Sequence, residues 1–258
     1  MPSLPAPNDD PVAGHPPLSL MRSFIIHMAG STARRPNVDR LLLDLPDAEV
    51  VDAVDGRDPA QRAGVQTRPG DLHRPPYPFP LSPAEIGVFQ SHRRCWRKIV
   101  EEGLDHAIIV EDDLAVEQQL FARALDLLKD QPLAQMYVRL PPKNRENPAA
   151  VLASDAEMQL MLPRRIGLQT CCQIVGRKAA EHLLLASEVI DRPVDTWLQM
   201  HWVTGQSVHT ILPNGNREIA HELGGSTAQS KTRTGAKPMR EIRRAWYRAQ
   251  VALRPQKP

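Results

Sequence analysis

The chain has 258 residues, of which 41% are hydrophobic and 24% are charged, with 32 Lys and Arg against 30 Asp and Glu. This composition is typical of a globular protein and excludes collagen-like, coiled-coil and wholly disordered chains. The longest aliphatic stretch, residues 107–110, is far shorter than the roughly 18 residues of a spanning helix. We therefore expect one α/β domain, without a transmembrane helix or a signal peptide.

Charge and cysteine content indicate the cellular location of the protein. Residues 231–258 contain nine Lys or Arg and one Glu, so the remainder of the chain is mildly acidic. The cysteines, Cys95, Cys171 and Cys172, are odd in number and lack metal-type CxxC spacing. They therefore indicate neither a disulfide framework nor a structural zinc site, and a cytoplasmic location fits best.

The chain begins with a Pro-rich segment and a βαβ unit. Residues 1–20 contain six prolines and few apolar residues, so we expect them to be disordered. The folded part begins near Met21, with a buried strand at residues 23–27, a helix through Leu45 and a strand at residues 49–54. An Asp-Gly turn ends that strand, and the Pro-rich residues after it predict a long irregular connection to residue 80.

A helix start is the clearest local signal. Ser82, Pro83 and Glu85 form a capping-box pattern, with proline at the first helical position. Gly103 is suited to the left-handed conformation that commonly ends a helix at its C-terminus. An apolar strand, residues 106–110, follows directly.

Weaker patterns continue the alternation. Helices are predicted at residues 117–129 and 176–187 and from Pro193 through Trp202, and strands at residues 136–140, 168–175 and 208–212. Residues 141–165 are polar, and no element is predicted there. Strands that alternate with helices predict a mainly parallel sheet covered on both faces.

Three consecutive carboxylates follow the apolar strand. Glu111, Asp112 and Asp113 repel one another, and partial burial at a strand end adds a desolvation cost, so both effects favour protonation unless a cation lies close by. A divalent ion with oxygen ligands would supply it. Alternatively, the three side chains point to water and Asp113 caps the next helix. The position favours a ligand site, because ligands in open α/β sheets bind beyond the carboxyl ends of the strands.

The sequence motifs of this chain, and the order in which they occur, resemble those of glycosyltransferase family 25. The similarity centres on residues 81–87 (LSPAEIG), Ser91 and His92, Trp96 and residues 108–113 (IIVEDD). Further similarity covers residues 24–27, Arg34 and Arg35, residues 51–56, and residues 193–195. It extends over about residues 22–228, and the resemblance therefore predicts a catalytic domain over residues 21–230.

The resemblance implies a GT-A-like fold that transfers a hexose, commonly galactose from UDP-galactose, to a carbohydrate acceptor. The family includes bacterial lipopolysaccharide glycosyltransferases and relatives that galactosylate collagen. It also implies Mn²⁺ or Mg²⁺ at the strand-end acids, which assigns the metal to Asp113 and Asp112, with Glu111 beside the donor. A divalent cation there would stabilise the departing diphosphate.

A base must take the proton of the acceptor hydroxyl. Asp195, in the family-like Pro-Val-Asp motif, is the first candidate, and a helix-cap role is the alternative. Glu222 is the reserve candidate.

Four further residues are candidates for donor binding. Arg34 and Arg35 follow the first strand and could bind phosphate, or could form a solvated first helical turn. Asp55 could contact the nucleoside or only form its turn. His92 lies on the capped helix, where a histidine is more often structural than catalytic.

The basic tail, residues 231–258, combines six arginines with Ile242, Trp246 and Leu253. A short helix there would place apolar side chains in lipid and arginines at anionic headgroups, which predicts peripheral contact with the inner face of the cytoplasmic membrane. A solvated tail is the alternative. Nucleic acid is not expected as a partner, since the body is acidic. Two other functions remain open: a metal-dependent phosphohydrolase and a non-catalytic carbohydrate-binding protein.

Overall fold

The computed structural model describes residues 21–143, 145–223 and 237–258. The prediction of disorder for residues 1–20 lies outside this range, as do residues 231–236 of the tail. The strands are β1 Arg22–His27, β2 Ala48–Asp52, β3 Gln66–Thr67, β4 His106–Glu111, β5 Leu114–Ala115, β6 Tyr137–Arg139, β7 Pro148–Asp155, β8 Met158–Pro163, β9 Cys172–Gly176, β10 Val189–Ile190, β11 Val208–Leu212 and β12 Arg217–Glu218. The helices are α1 Arg35–Asp44, α2 Pro59–Arg62, α3 Pro83–Glu101, α4 Gln118–Asp126, α5 Arg177–Ala186, α6 Val194–Leu198, α7 His201–Thr204 and α8 Lys237–Ala252.

An eight-stranded sheet forms the centre of the molecule, in the order β2-β1-β4-β9-β6-β11-β8-β7. Strands β2, β1 and β4 are parallel neighbours, and β6 pairs with β11 in parallel. The pairs of β9 with β4 and β6, and of β8 with β11 and β7, are antiparallel. The α/β class is therefore confirmed, and the sheet is mixed: β2, β1 and β4 form a parallel group on one side, and β6 with β11 forms a further parallel pair.

Helices cover both faces of this sheet, as expected from the alternation of elements. On β1, Ile25 belongs to the hydrophobic cluster that includes residues of α1 and α4, whereas Phe24 belongs to the cluster that includes residues of α3 and α5. Neighbouring side chains of a strand point to opposite faces, so β1 contributes to both cores. The apolar run of β4, all buried from Ala107 to Val110, is explained in this way.

The predicted start of α3 is confirmed. The Ser82 hydroxyl accepts a hydrogen bond from the backbone N–H of Glu85 at 3.2 Å, and the Glu85 carboxylate accepts one from the backbone N–H of Ser82 at 2.7 Å. Gly103 follows the helix with a φ of +66°. This reciprocal cap fixes where α3 begins and so which of its side chains reach the ends of β1 and β4.

The β7–β8 hairpin was missed by sequence analysis. It occupies residues 148–163, inside the segment where no element was predicted. Strand β7 lies at the edge of the sheet and is largely exposed, so its residues lack the apolar alternation on which strand prediction relies. The long connection after β2 also contains a short helix, α2, and a short strand, β3, which pairs with β10.

The C-terminal residues form a helix that packs on the body. The short helix expected in the basic tail is present as α8, and its Tyr247 is buried with 4% of its surface exposed. Beyond the helix, the buried Gln256 side chain donates hydrogen bonds to the carbonyls of Pro163 and Val208, both at 2.9 Å. None of the helices in the described ranges is long and apolar enough to cross a membrane.

Candidate active site

A cleft of about 360 Å³ opens beyond the carboxyl ends of β1, β2 and β4. Its volume falls within the range of small-molecule sites. The predicted candidates in its lining are Arg34, Asp55, His92, Glu111, Asp112 and Asp113. Parallel strands end at the same edge of a sheet, which is why residues far apart in sequence meet here.

A buried ion pair forms the floor of the cleft. Arg34 Nη1 lies 2.5 Å from Asp112 Oδ1 and 3.1 Å from Asp113 Oδ2. His27, at the end of β1, donates from Nδ1 to the other oxygen of Asp112 at 2.7 Å. Burial alone would lower the pKa of Arg34, but the surrounding carboxylates outweigh it and raise that pKa. The cation needed by the acid triplet is therefore supplied by the chain itself.

Hydrogen bonds also hold the backbone of residues 112–114, which we call the acidic turn. The Asn37 side-chain amide, on α1, donates to the carbonyls of Asp112 at 3.0 Å and Leu114 at 2.8 Å. The backbone N–H of Ile219 donates to the carbonyl of Asp113 at 2.8 Å. Because these bonds come from two other segments, the turn is fixed between α1 and the β5–β12 pair. The alternative that Asp113 caps α4 is wrong, since the cap of that helix is Glu117.

Asp113 has an unusual electrostatic environment. Burial, followed by the negative charge of Glu111, raises the pKa of Asp113 to about 6, although Arg34 opposes the shift. Asp112 and Glu218 add to the effect. Asp113 therefore carries a charge at neutral pH that another cation would further stabilise.

Glu111 is held in its ionised form by a chain of hydrogen bonds between side chains. The His92 ring nitrogen Nε2 lies 3.1 Å from Glu111 Oε1, and Thr170 donates its hydroxyl to the same oxygen at 3.3 Å. Burial opposes ionisation, but these hydrogen bonds outweigh it and lower the pKa of Glu111. On the other side of the ring, Gln173 Nε2 lies 3.0 Å from His92 Nδ1, and Tyr137 donates to Gln173 at 2.6 Å. The amide donates to Nδ1, so His92 carries its proton on Nε2 and donates to Glu111.

The wall of the cleft depends on a close approach of two glycines. A Cβ atom on Gly87 would lie 2.6 Å from the carbonyl oxygen of Val54 and 2.7 Å from the nitrogen of Gly56. A Cβ on Gly56 would lie 1.7 Å from the carbonyl oxygen of Pro83. The turn after β2 therefore packs directly on the first turns of α3. It positions Asp55, whose carboxylate is paired with the side chain and backbone N–H of Arg57, the contacts that lower its pKa.

Asp195 lies beside the acid triplet, residues 111–113, and does not line the cleft. It is partly buried on α6, and its carboxylate accepts hydrogen bonds from the backbone N–H groups of Thr196 at 2.6 Å and Gln169 at 3.4 Å. Burial raises the pKa of Asp195; these hydrogen bonds oppose the shift, and the charge of Glu111 adds to it. Gln169 also donates its side chain to Glu218 at 2.8 Å. The loop before β9 thus connects Asp195 with the acid triplet.

Two candidates lie elsewhere. Arg35 is exposed on α1 and pairs with Asp39 at 2.7 Å, in the solvated arrangement that was its alternative explanation. Glu222 is exposed and pairs with Arg217. Neither residue lines the cleft.

The residues present only partly fit a metal ion. Within the described ranges, no group of three or more His, Cys, Asp or Glu side chains is arranged to hold a metal by itself. Both oxygens of Asp112 are engaged by Arg34 and His27. Asp113, with its raised pKa, is the better ligand, and Mg²⁺ sites in phosphate-binding proteins often use one or two carboxylates together with the substrate phosphates. Of the two aspartates, Asp113 therefore fits a metal ion better than Asp112 does.

Several residues of the site were missed by sequence analysis. His27 lies within residues 24–27, a segment of family similarity, and its position at the end of a strand was the available signal. Asn37 and Gln173 act through the backbone and through another side chain, and their spacing gives no signal. Glu218 approaches Asp113 only because β12 pairs with β5, which no local pattern predicts.

The fold and the cleft define an α/β protein whose candidate site lies at the carboxyl ends of parallel strands. Residues 21–198 match the model of "Glycosyltransferase family 25 (LPS biosynthesis protein)". This match covers well over half of the sequence, and the chain belongs to glycosyltransferase family 25. The family resemblance found in the sequence is thus confirmed.

Relatives support the same family. Over 120 residues, 43% of this chain and 19% of the relative, the chain is 31% identical to procollagen galactosyltransferase 2 of Mus musculus. It is 33% identical over 125 residues, 46% of this chain and 20% of the relative, to procollagen galactosyltransferase 1-B of Xenopus laevis. A glycosyltransferase 25 family member of Aedes aegypti is 35% identical over 98 residues, 36% of this chain and 16% of the relative. These matches cover a fifth or less of each relative's length.

The glycine contact predicts a sensitive position. Gly87→Ala should push the turn at residues 54–56 away from α3, reducing the free energy of unfolding by about 2 kcal/mol. Urea unfolding would measure this change. Gly30→Ala is the control, because nothing lies within 4 Å of the added Cβ. Equal stability of the two variants would contradict the close packing.

Neighbouring aspartates should respond in opposite directions. Asp112→Asn removes a charge that pairs with the buried Arg34 and should destabilise the fold by about 3 kcal/mol. Asp113→Asn should stabilise it by about 2 kcal/mol above pH 6, because ionisation of Asp113 in the folded state is unfavourable.

The stabilisation has a defined pH dependence. The pKa of Asp113 is about 6 in the folded state and 3.8 in its ordinary state, so the folded protein binds the extra proton between these values. The gain from Asp113→Asn is therefore full above pH 6 and declines as the pH falls toward 4. Unfolding curves at several pH values would test this, and a gain that grows on acidification would contradict it.

Proposed function

We propose that this protein transfers a hexose, with galactose as the first candidate, from a UDP-hexose donor to a glycan acceptor. The observation that carries the proposal is the cleft in which Arg34, Glu111 and Asp113 meet beyond the carboxyl ends of the parallel strands β1, β2 and β4, in a member of family 25. The relatives' names support galactose as the sugar.

In this proposal the donor diphosphate lies near the acidic turn. Arg34 offsets the charges of Asp112 and Asp113, so that a polyanion can approach two carboxylates. Glu111, fixed by His92 and Thr170, is oriented toward the sugar and its nucleotide. Asp55, in the cleft wall, is available to the nucleoside.

We assign the metal contact to Asp113 and a positioning role to Asp112. Mn²⁺ or Mg²⁺, when bound, would stabilise negative charge on the departing diphosphate. Asp113 supports this assignment through its raised pKa, and Asp112 through its two existing bonds, which hold the turn. A metal ligand must be close to ideal geometry, which explains the value of a fixed turn.

Asp195 is assigned as the base that takes the proton of the acceptor hydroxyl. Its raised pKa makes it a stronger base than an ordinary carboxylate, and the loop at Gln169 and Thr170 holds it beside Glu111. Glu222 is exposed and paired with Arg217, so it lacks the burial that makes Asp195 a stronger base, which disfavours it for this role.

The acceptor we propose is a lipopolysaccharide or another cell-envelope glycan. The family description supports lipopolysaccharide biosynthesis, whereas the names of the relatives refer to procollagen. A lipid-linked acceptor would be presented at the inner face of the cytoplasmic membrane, where we propose that the enzyme acts.

Calorimetric titration with UDP tests the donor assignment. We expect UDP to bind more tightly with Mn²⁺ than without it, and Asp113→Asn to remove most of this enhancement. Asp126→Asn, which alters an exposed ion pair with Lys129, is the control and should bind as the wild type does. Failure of UDP to bind with or without Mn²⁺ would contradict the proposal and favour a non-catalytic carbohydrate-binding protein.

Product analysis distinguishes transfer from hydrolysis. With UDP-galactose and a lipooligosaccharide acceptor, a transferase forms a galactosylated product that mass spectrometry detects. Release of phosphate from simple esters without any acceptor would instead indicate a phosphohydrolase.

Variants of the two candidate bases should differ strongly. Asp195→Asn should reduce kcat by about 10²- to 10⁴-fold, because proton removal from the acceptor is lost, while UDP binding is retained. Glu222→Gln should leave kcat within about twofold, because an exposed ion pair contributes little. Initial rates with saturating donor would measure both, and a larger loss in Glu222→Gln would reverse the assignment.

A further inference from the structure

Helix α8 has two apolar sides, and only one packs on the body. The buried side carries Tyr247, whose ring contacts Tyr77 edge-on at 5.4 Å between centroids and whose hydroxyl accepts a hydrogen bond from Arg192 at 3.1 Å. Arg240 and Arg244 place their guanidinium groups over the ring of Phe79, at 5.0 and 5.5 Å. The helix is therefore fixed in its rotation about its own axis.

The opposite side is exposed. Ile242, Trp246 and Leu253 are 62%, 55% and 80% exposed, and Ala249 is exposed between them. Their spacing of four, three and four residues places them in one row along the helix surface. We call this row of residues 242, 246, 249 and 253 the outer face of α8. Contiguous exposed apolar groups of this kind mark interaction sites.

The outer face continues into a groove on the body. Pro76 and Pro78 line this groove together with Ile242, Arg243 and Trp246. The apolar surface is thus wider than one helix row, and Arg243 stands at its border beside Trp246. Because the groove joins the helix to the connection at residues 75–80, the whole surface belongs to the folded body.

Charge identifies the kind of partner. Residues 237–258 contain seven Lys or Arg and one Glu, and that Glu241 is paired with Arg244 at 2.6 Å. Arg243, Arg248 and Arg254 are exposed. Two copies of so basic a helix would repel each other, which disfavours self-association through this face. An anionic lipid surface would satisfy both the apolar row and the arginines around it.

We propose that the outer face of α8 binds the surface of an anionic membrane, with Ile242 and Trp246 among the acyl chains and Arg243 and Arg248 at the headgroups. The composition of the tail alone gives no orientation. In the structure, Tyr247 and Gln256 hold α8 on the body, so the orientation of the helix is fixed. The whole domain, and not only a flexible tail, is then oriented at the lipid surface. Peripheral binding of this kind needs no spanning helix.

Vesicle flotation of the full chain tests the proposal without donor or acceptor. We compare phosphatidylcholine vesicles with vesicles containing about 30% phosphatidylglycerol, for which the surface potential attracts basic residues. We expect binding to the anionic vesicles, weakened by added salt. Ile242→Ser with Trp246→Ser should weaken it by about tenfold or more, because apolar insertion is lost.

Two further variants make the result specific. Leu43→Ser with Leu185→Ser removes leucines of α1 and α5 that are 87% and 72% exposed, more than Ile242 and Trp246, and this variant should bind vesicles as the wild type does. Arg243→Gln with Arg248→Gln should weaken binding to the anionic vesicles by about 25-fold, since each basic residue near the surface contributes about a fivefold attraction.

Specific outcomes would overturn the proposal. Equal binding by the two serine pairs, or binding of neither vesicle by the wild type, would do so. A dimer in analytical ultracentrifugation that Ile242→Ser with Trp246→Ser dissociates would assign the face to a second copy instead. UDP binding by the same variants is measured in parallel, so a failure of the membrane inference is distinguishable from a failure of the transferase proposal.

Discussion

The ion pair between Arg34 and Asp112 is the interaction on which the site depends. Three adjacent carboxylates at the end of a buried strand repel one another, and the fold places one guanidinium among them. His27 and Asn37 complete the arrangement by holding the other carboxylate oxygen and the backbone. The acidic turn is therefore ordered by groups from β1 and α1 before any ligand arrives.

This arrangement gives adjacent acids different properties. Glu111 is kept ionised by the chain of hydrogen bonds through His92, which lowers its pKa, whereas burial and neighbouring charge raise the pKa of Asp113 to about 6. Asp112 is already neutralised by a permanent partner. Chemically similar residues, fixed by different neighbours, thus acquire different acid strengths and different partners.

Much of this was predictable from the sequence, for physical reasons that particular residues show. Capping at Ser82 and Glu85 is a local interaction, so the start of α3 could be predicted, and the apolar run before Glu111 identified a central strand. The β7–β8 hairpin and the antiparallel pairs of β9 could not, because strand pairing is set by distant parts of the chain. In the site, Arg34, His92 and the acid triplet meet in one cleft, whereas the partners of Asp112 and the approach of Glu218 require the tertiary structure.

A crystal structure with UDP and Mn²⁺, read by anomalous scattering, would test the central claim most directly. The account predicts a single manganese peak in contact with an oxygen of Asp113 and with the diphosphate, while Asp112 keeps its bonds to Arg34 and His27. A nucleotide bound away from this edge of the sheet, or an Asp113 carboxylate turned to solvent beside a bound diphosphate, would contradict it.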